Sequence, residues 1–213
     1  MNIRIYDRTK RQRIGITITA LLTFVLLAAA CPAPVAPQVT PPEEPTKYEY
    51  TLEKFPNGKA ITGNTGIAQN SPRPPYKGLQ SLEGNEFSEW GFLVGPNSNP
   101  SCAVIWIGYL ESNLNYLTVE DRQSCPPNIL EISFTDSVKQ VTLDFTGASV
   151  GYVLAAFDDN DNQISESNVR AEFEEEGNLF PISVESDDTN IKRVTFIPNE
   201  NQIIAVNKIT YWR

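Results

Sequence analysis

Asp158, Asp159 and Asp161 stand in the run FDDNDNQ, where carboxylate and amide oxygens alternate as the ligands of a calcium-binding loop do. The run lacks the glycine and the distant bidentate glutamate of an EF-hand loop. Asp and Asn are also the residues that a hairpin turn selects, because they tolerate left-handed backbone angles. Two readings therefore stand, a tight turn and a site for a structural calcium ion, and the turn is preferred. The chain has no histidine, which removes Ser-His-Asp and Cys-His catalysis, histidine-ligated zinc and the commonest general base at neutral pH. Two carboxylates about 5 to 10 Å apart could still cleave a glycosidic bond. No spacing singles out such a pair, so the expectation is a protein that is not an enzyme and needs no cofactor.

The elements that must position any site are strands. Leu130, Ile132 and Phe134 alternate with polar neighbours, as do Val141, Leu143 and Phe145, with Thr142 and Asp144 between them. This period of two marks half-buried strands. The runs YVLAAF (152–157) and AVIWIGYL (103–110) are apolar on both faces and predict strands inside a sheet, the second burying Trp106. Ile182 to Val184, Val194 to Phe196 and Lys208 to Trp212 add further strands, and only Val169 to Glu176 offers a short helical period. Residues 48–213 number 166, enough for one domain with its own core. The pattern predicts an all-β domain of two packed antiparallel sheets.

The run ISFTDSVKQVTLDFTGASVGYVLAAFDDNDNQI, followed by IKRVTFIPNENQIIAVNKITYW, resembles the core of galactose-binding-domain-like jelly-roll modules. The matching residues are Ala156, Phe157 and Asp158, then Ile191, Val194 and Phe196, then Ile209 and Tyr211. The resemblance implies a jelly-roll sandwich. It also implies that a sugar, if bound, sits at one end of the sandwich, with loop aromatics stacked on the pyranose ring. Residues 55–101 have the composition of long loops, rich in Pro, Gly and Asn. Tyr76, Phe87 and Trp90 are the aromatics available there for a ligand; the alternative is that they cap the core beneath those loops.

The N-terminus supplies an address. Arg4, Arg8, Lys10, Arg11 and Arg13 precede 17 uncharged residues, Ile14 to Ala30, that end in three alanines. Basic, apolar, small is the order of a secretory signal. The three alanines directly before Cys31 resemble the lipobox of bacterial lipoproteins, in which the cysteine thiol takes a diacylglyceryl group and becomes the new N-terminus. Ala28 stands where that family usually has leucine, and simple secretion or a retained membrane anchor would read the same segment. Lipidation of Cys31 would leave Cys102 and Cys125 as a pair in an oxidising compartment, and a bridge between them would close a loop of about two dozen residues and contribute roughly 3 kcal/mol. Residues 32–47 carry six prolines in sixteen positions and predict a stiff tether.

Removing residues 1–30 takes five of the 17 basic and one of the 26 acidic side chains and leaves a net charge of −13. Such a surface argues against nucleic acid and anionic lipid headgroups as partners. The sequence therefore predicts a signal peptide (1–30), a lipidated Cys31 with its tether (31–47) and a sandwich (48–213). The domain is expected outside the cytoplasm, anchored to the outer membrane or to the outer face of the cytoplasmic membrane. The expected role is non-catalytic carbohydrate binding, with a structural or protein-binding role in the envelope as the alternative.

Overall fold

The computed structural model describes residues 44–62, 78–95, 102–108, 114–119, 128–170, 178–200 and 202–213. The signal segment, Cys31, the tether up to residue 43, Tyr76 and Cys125 lie outside them, and the last tether residue, Lys47, opens the first strand. The strands are β1 (Lys47–Thr51), β2 (Gly78–Ser81), β3 (Phe92–Val94), β4 (Ala103–Ile107), β5 (Asn115–Val119), β6 (Leu130–Val138), β7 (Gln140–Gly147), β8 (Gly151–Phe157), β9 (Gln163–Arg170), β10 (Phe180–Glu185), β11 (Ile191–Pro198) and β12 (Ile204–Trp212). A 3-10 turn, Ser88–Trp90, precedes β3. One sheet runs β10-β7-β12-β5-β4-β2, with β1 also paired to β12; the other runs β3-β6-β11-β8-β9. Every pairing is antiparallel. From β6 onward the chain crosses repeatedly between the sheets, which is the connectivity of a jelly roll.

Alternation along the strands builds the core. Leu130, Ile132 and Phe134 of β6 are buried together with Val141, Leu143 and Phe145 of β7. In β8, Tyr152, Leu154 and Ala156 point inward while Val153 and Phe157 keep part of their surface in solvent. Both runs that are apolar on each face lie inside a sheet, β8 between β11 and β9 and β4 between β5 and β2. For β4 the reason is visible. Ala103 and Ile105 enter the main core, whereas Val104 joins Leu79, Tyr116 and Ala205 in a second buried cluster on the opposite face of that sheet. No helix forms at Val169 and Arg170, which end β9.

Strand β12 organises its sheet. It pairs with β7 along its whole length, and a bulge between Val206 and Lys208 divides its other edge between β5 and β1. At that junction Asn207 Nδ2 donates to the carbonyl of Asn115 (3.0 Å), and Asn115 Nδ2 donates to the carbonyl of Leu52 (2.7 Å). The extra residue of the bulge thus supplies a side chain that ties β12 to the backbone of β5. Lys208, opposite Asp144 in the register, completes the strand pair with a 2.7 Å ion pair.

An aromatic cluster closes the end of the sandwich where β1 and β12 run together. Tyr48 stacks on Tyr211 (centroids 5.0 Å apart), Tyr50 on Trp90 (4.6 Å), and Phe92 meets Tyr211 edge to face. The Tyr211 hydroxyl donates to the carbonyl of Trp90 (2.6 Å), which ties the last strand to the 3-10 turn. Gly91, which ends that turn, has φ +83°, and a Cβ there would lie 2.4 Å from a guanidinium nitrogen of Arg213. Only glycine both adopts this angle without strain and leaves room for the arginine.

Candidate functional site

Two of the three aromatics offered as sugar platforms, Phe87 and Trp90, belong to the core cap, the other of the two roles expected for them. Phe87 has no exposed surface and stacks on Trp90 and Phe92, so its ring faces the interior. Trp90 is half-buried, with one face on Tyr50 and Phe87 5.5 Å away on another side. Neither ring offers an open face comparable to a stacking platform. Tyr76 lies outside the described residues, two positions before β2.

The carboxylates of FDDNDNQ build the β8–β9 turn. Asp158 Oδ1 accepts from the backbone N–H groups of Asn160 and Asn162 (both 2.9 Å), and Oδ2 accepts from Asn162 Nδ2 (3.0 Å). These bonds, the Asn162 side chain and backbone foremost, hold the Asp158 carboxyl below its ordinary range. Asp161 takes φ +62° and accepts from Arg193 (3.0 Å), while Asp159 accepts from Asn160 Nδ2 (2.9 Å). Each carboxylate is thus engaged by the turn or by a neighbouring strand. Among the described residues no group of three acidic, cysteine or histidine side chains is arranged to hold a metal ion.

Cys102 is fully buried immediately before β4. Its expected partner, Cys125, lies outside the described residues, and the bridge remains an expectation of the sequence.

A site of a different kind forms where the loop after β1 meets the end of β2 and the residues that follow it. Phe55, Asn57, Lys59, Gln80, Ser81, Glu83 and Glu86 line a recess of about 320 Å³. The first wall is a tight hairpin. Phe55 N–H donates to the carbonyl of Lys59 (2.9 Å), Gly58 N–H to that of Phe55 (2.9 Å), and Asn57 Oδ1 accepts from Lys59 N–H (2.9 Å). Gly58 has φ +77°, the left-handed angle such a turn requires. The second wall is clamped by Glu86, whose two carboxylate oxygens accept from the backbone N–H groups of Glu83 and Gly84. Phe55 itself stacks obliquely on Phe87 (5.8 Å), so the recess rests on the core.

The polar groups around Phe55 include amide, hydroxyl, ammonium and carboxylate, so donors and acceptors face one space. That mixture suits hydroxyl groups, each of which donates once and accepts twice. Sequence reading placed a site among these loops and missed the residues that line it. Asn57, Lys59 and Gln80 carry no motif, and nothing short of the fold brings residues 55–59 beside residues 80–86.

No protein-family model matches the chain, and no curated protein matches it in sequence. Among solved structures it is similar to a family 29 carbohydrate-binding module from Piromyces equi, at 10% identity and TM-score 0.36, over 78% of this chain and 91% of that one. A cleaved adhesin domain of Lys-gingipain from Porphyromonas gingivalis matches at 13% identity and TM-score 0.36, over 78% and 97%. A glycoside hydrolase family 43 arabinoxylan arabinofuranohydrolase from Bacillus subtilis matches at 12% identity and TM-score 0.34, over 75% of this chain and 32% of that one. Likenesses this loose leave the meaning of the recess to its own geometry.

Proposed function

We propose that this chain is a non-catalytic binding module of the bacterial envelope, exported by residues 1–30, held by a lipid on Cys31 and binding carbohydrate in the recess at the β2 edge. The observation that carries the binding role is the convergence of Asn57, Lys59, Gln80, Ser81 and Glu83 around Phe55, on loops whose backbones are already hydrogen-bonded in place. Such preorganisation lowers the ordering cost of binding. Glu86 is committed to the loop as its clamp, so the nearby Glu83 and Glu86 do not serve here as an acid–base pair.

A protein-interface role would call for an open row of aromatics on a sheet face. Among the described residues the exposed large hydrophobics are Leu93 and Leu114. On the outward faces, Phe157 is covered by the Arg193 guanidinium at 4.1 Å, and Trp212 lies under the Lys47 ammonium at 5.8 Å. The surface therefore favours the sugar.

Titration of the mature, detergent-extracted protein against a panel of neutral oligosaccharides tests the reading. One glycan class is expected to bind, and the double variant Lys59→Ala, Gln80→Ala is expected to weaken it about tenfold or more with an unchanged melting temperature. A variant that binds as well as the parent, or a parent that binds no glycan, rejects the recess as a carbohydrate site. The anchor has its own measurement. Intact mass is expected to equal residues 31–213 plus a diacylglyceryl group, with or without a further acyl chain, less two hydrogens for a Cys102–Cys125 bridge. An unmodified mass that begins elsewhere rejects lipidation.

A further inference from the structure

A second recess, sharing no residue with the first, opens where the β7–β8 turn, the end of β9 and the residues after β11 meet. It has a volume of about 380 Å³ and is walled by Ser149 and Val150, by Asn168 and Arg170, and by Asn199 and Glu200. Register fixes the walls: Gly151 pairs with Arg170 and Val153 with Asn168, which sets both polar side chains on one face of β9. Asn199 N–H donates to the carbonyl of Gly151 (2.8 Å). The Asn199 amide lies against Gly151 so closely that a Cβ there would come within 2.2 Å of Nδ2. Glycine at 151 therefore permits the position of that amide. Beneath it Tyr152 is fully buried, its hydroxyl donating to the carbonyl of Ala148 (3.0 Å).

Arg170 is the group that stands out. Of the three arginines among the described residues, Arg193 pairs with Glu131 and Asp161, and Arg213 pairs with Asp136. Arg170 has no ion pair there, although the chain as a whole carries a net charge of −9. A guanidinium without a carboxylate partner, exposed beside two side-chain amides on fixed backbone, presents a planar fork matched to an incoming carboxylate. Glu200, which also lines the recess, can accept from a hydroxyl and disfavours a ligand with more than one negative charge. The acidic surface likewise repels polyanions at long range. We infer that this recess binds a singly charged acidic sugar, a uronate, whose carboxylate pairs with Arg170 while its hydroxyls meet the Asn199 amide and the Oδ1 of Asn168, whose Nδ2 donates to Glu166 (2.8 Å).

This inference rests on the reading of the chain as a carbohydrate binder, and the two fail separately. The probes are methyl β-glucuronide and methyl β-glucoside, which differ in one carboxylate, titrated into the mature protein at low salt and followed by ligand-observed NMR. The uronide is expected to bind roughly three- to tenfold more tightly. Arg170→Gln is expected to erase that preference, Arg170→Lys to keep part of it, and both to leave the melting temperature and glycan binding at the β2-edge recess unchanged. Equal binding of the two probes by the parent protein, or a preference that survives Arg170→Gln, overturns the inference. So does competition by acetate as strong as that of the uronide, which would reduce the recess to a general carboxylate site. A uronide that fails to bind while neutral glycans still occupy the β2-edge recess overturns this inference alone. Failure of every saccharide overturns the proposed function with it.

Discussion

Phe196→Ala is expected to lower the free energy of unfolding by about 3–5 kcal/mol. Phe196 lies in β11, the middle strand of the five-stranded sheet, and has no exposed surface. Its ring meets Phe145 of the opposite sheet edge to face at 4.8 Å and stacks on Tyr152 at 5.6 Å. It therefore spans the interface between the two sheets, and truncation leaves a void that neither hydrogen-bonded sheet can collapse to fill. Phe157 gives the contrast on an adjacent strand. It points outward, half-buried, with the Arg193 guanidinium over its ring, so Phe157→Ala is expected to cost about 1 kcal/mol or less. Urea unfolding followed by tryptophan fluorescence compares the two. Equal losses would mean that the core does not lie between the sheets.

That contrast shows how far alternation alone carries. VTLDF reads as a half-buried strand because Thr142 and Asp144 interrupt Val141, Leu143 and Phe145, and the fold buries those three. The same logic weakens at edges. In β9, QISESNVR buries little, and only Ile164 and Val169 pack on the core, so its sequence looks like a loop. β3 is three residues long and too short for any period to register. In β1, Tyr48 and Tyr50 alternate with Lys47 and Glu49, yet partial burial on a sandwich end leaves the strand without a strong apolar signal.

The aromatics were legible as residues but not in their orientation. The run FSEWG allows Phe87 and Trp90 either to face a ligand or to cap the core, and does not decide between the two. What turns them is the 3-10 turn ended by Gly91 and held by Tyr211, a residue more than a hundred positions away. The turn at Asp158 was the opposite case, because its donors lie within four residues and local sequence was enough. Both recesses draw on segments far apart in the chain. Arg170 and Asn199, or Lys59 and Glu83, become neighbours only through strand register, which is why polar binding residues without a motif were out of reach.

Tyrosine burial sets the last expectation, a loss of stability in alkali. Removal of the ring from water pushes the Tyr152 hydroxyl up to about 12, the largest effect on it, with the Ala148 backbone opposing it only in part. Tyr211 is raised as well, by burial first and then by the Tyr50 hydroxyl beside it. In the unfolded chain both return to about 10. Between these values the folded state holds protons that the unfolded state has released. Stability is therefore intact below about pH 10 and falls as pH rises through the folded-state values. For Tyr152 alone the loss reaches about 2 kcal/mol by pH 12. Urea midpoints are expected to be flat from pH 7 to 9 and to drop steeply beyond pH 10. Absorbance at 295 nm should show tyrosines that ionise only as the protein unfolds. Tyr152→Phe is expected to start about 1 kcal/mol lower at pH 7, through the hydrogen bond it loses, and then to decline less steeply. If every tyrosine ionised near pH 10 while the fold persisted, the hydroxyl of Tyr152 would have to be open to water, and the wall it supports beneath Asn199 and Arg170 would not be rigid.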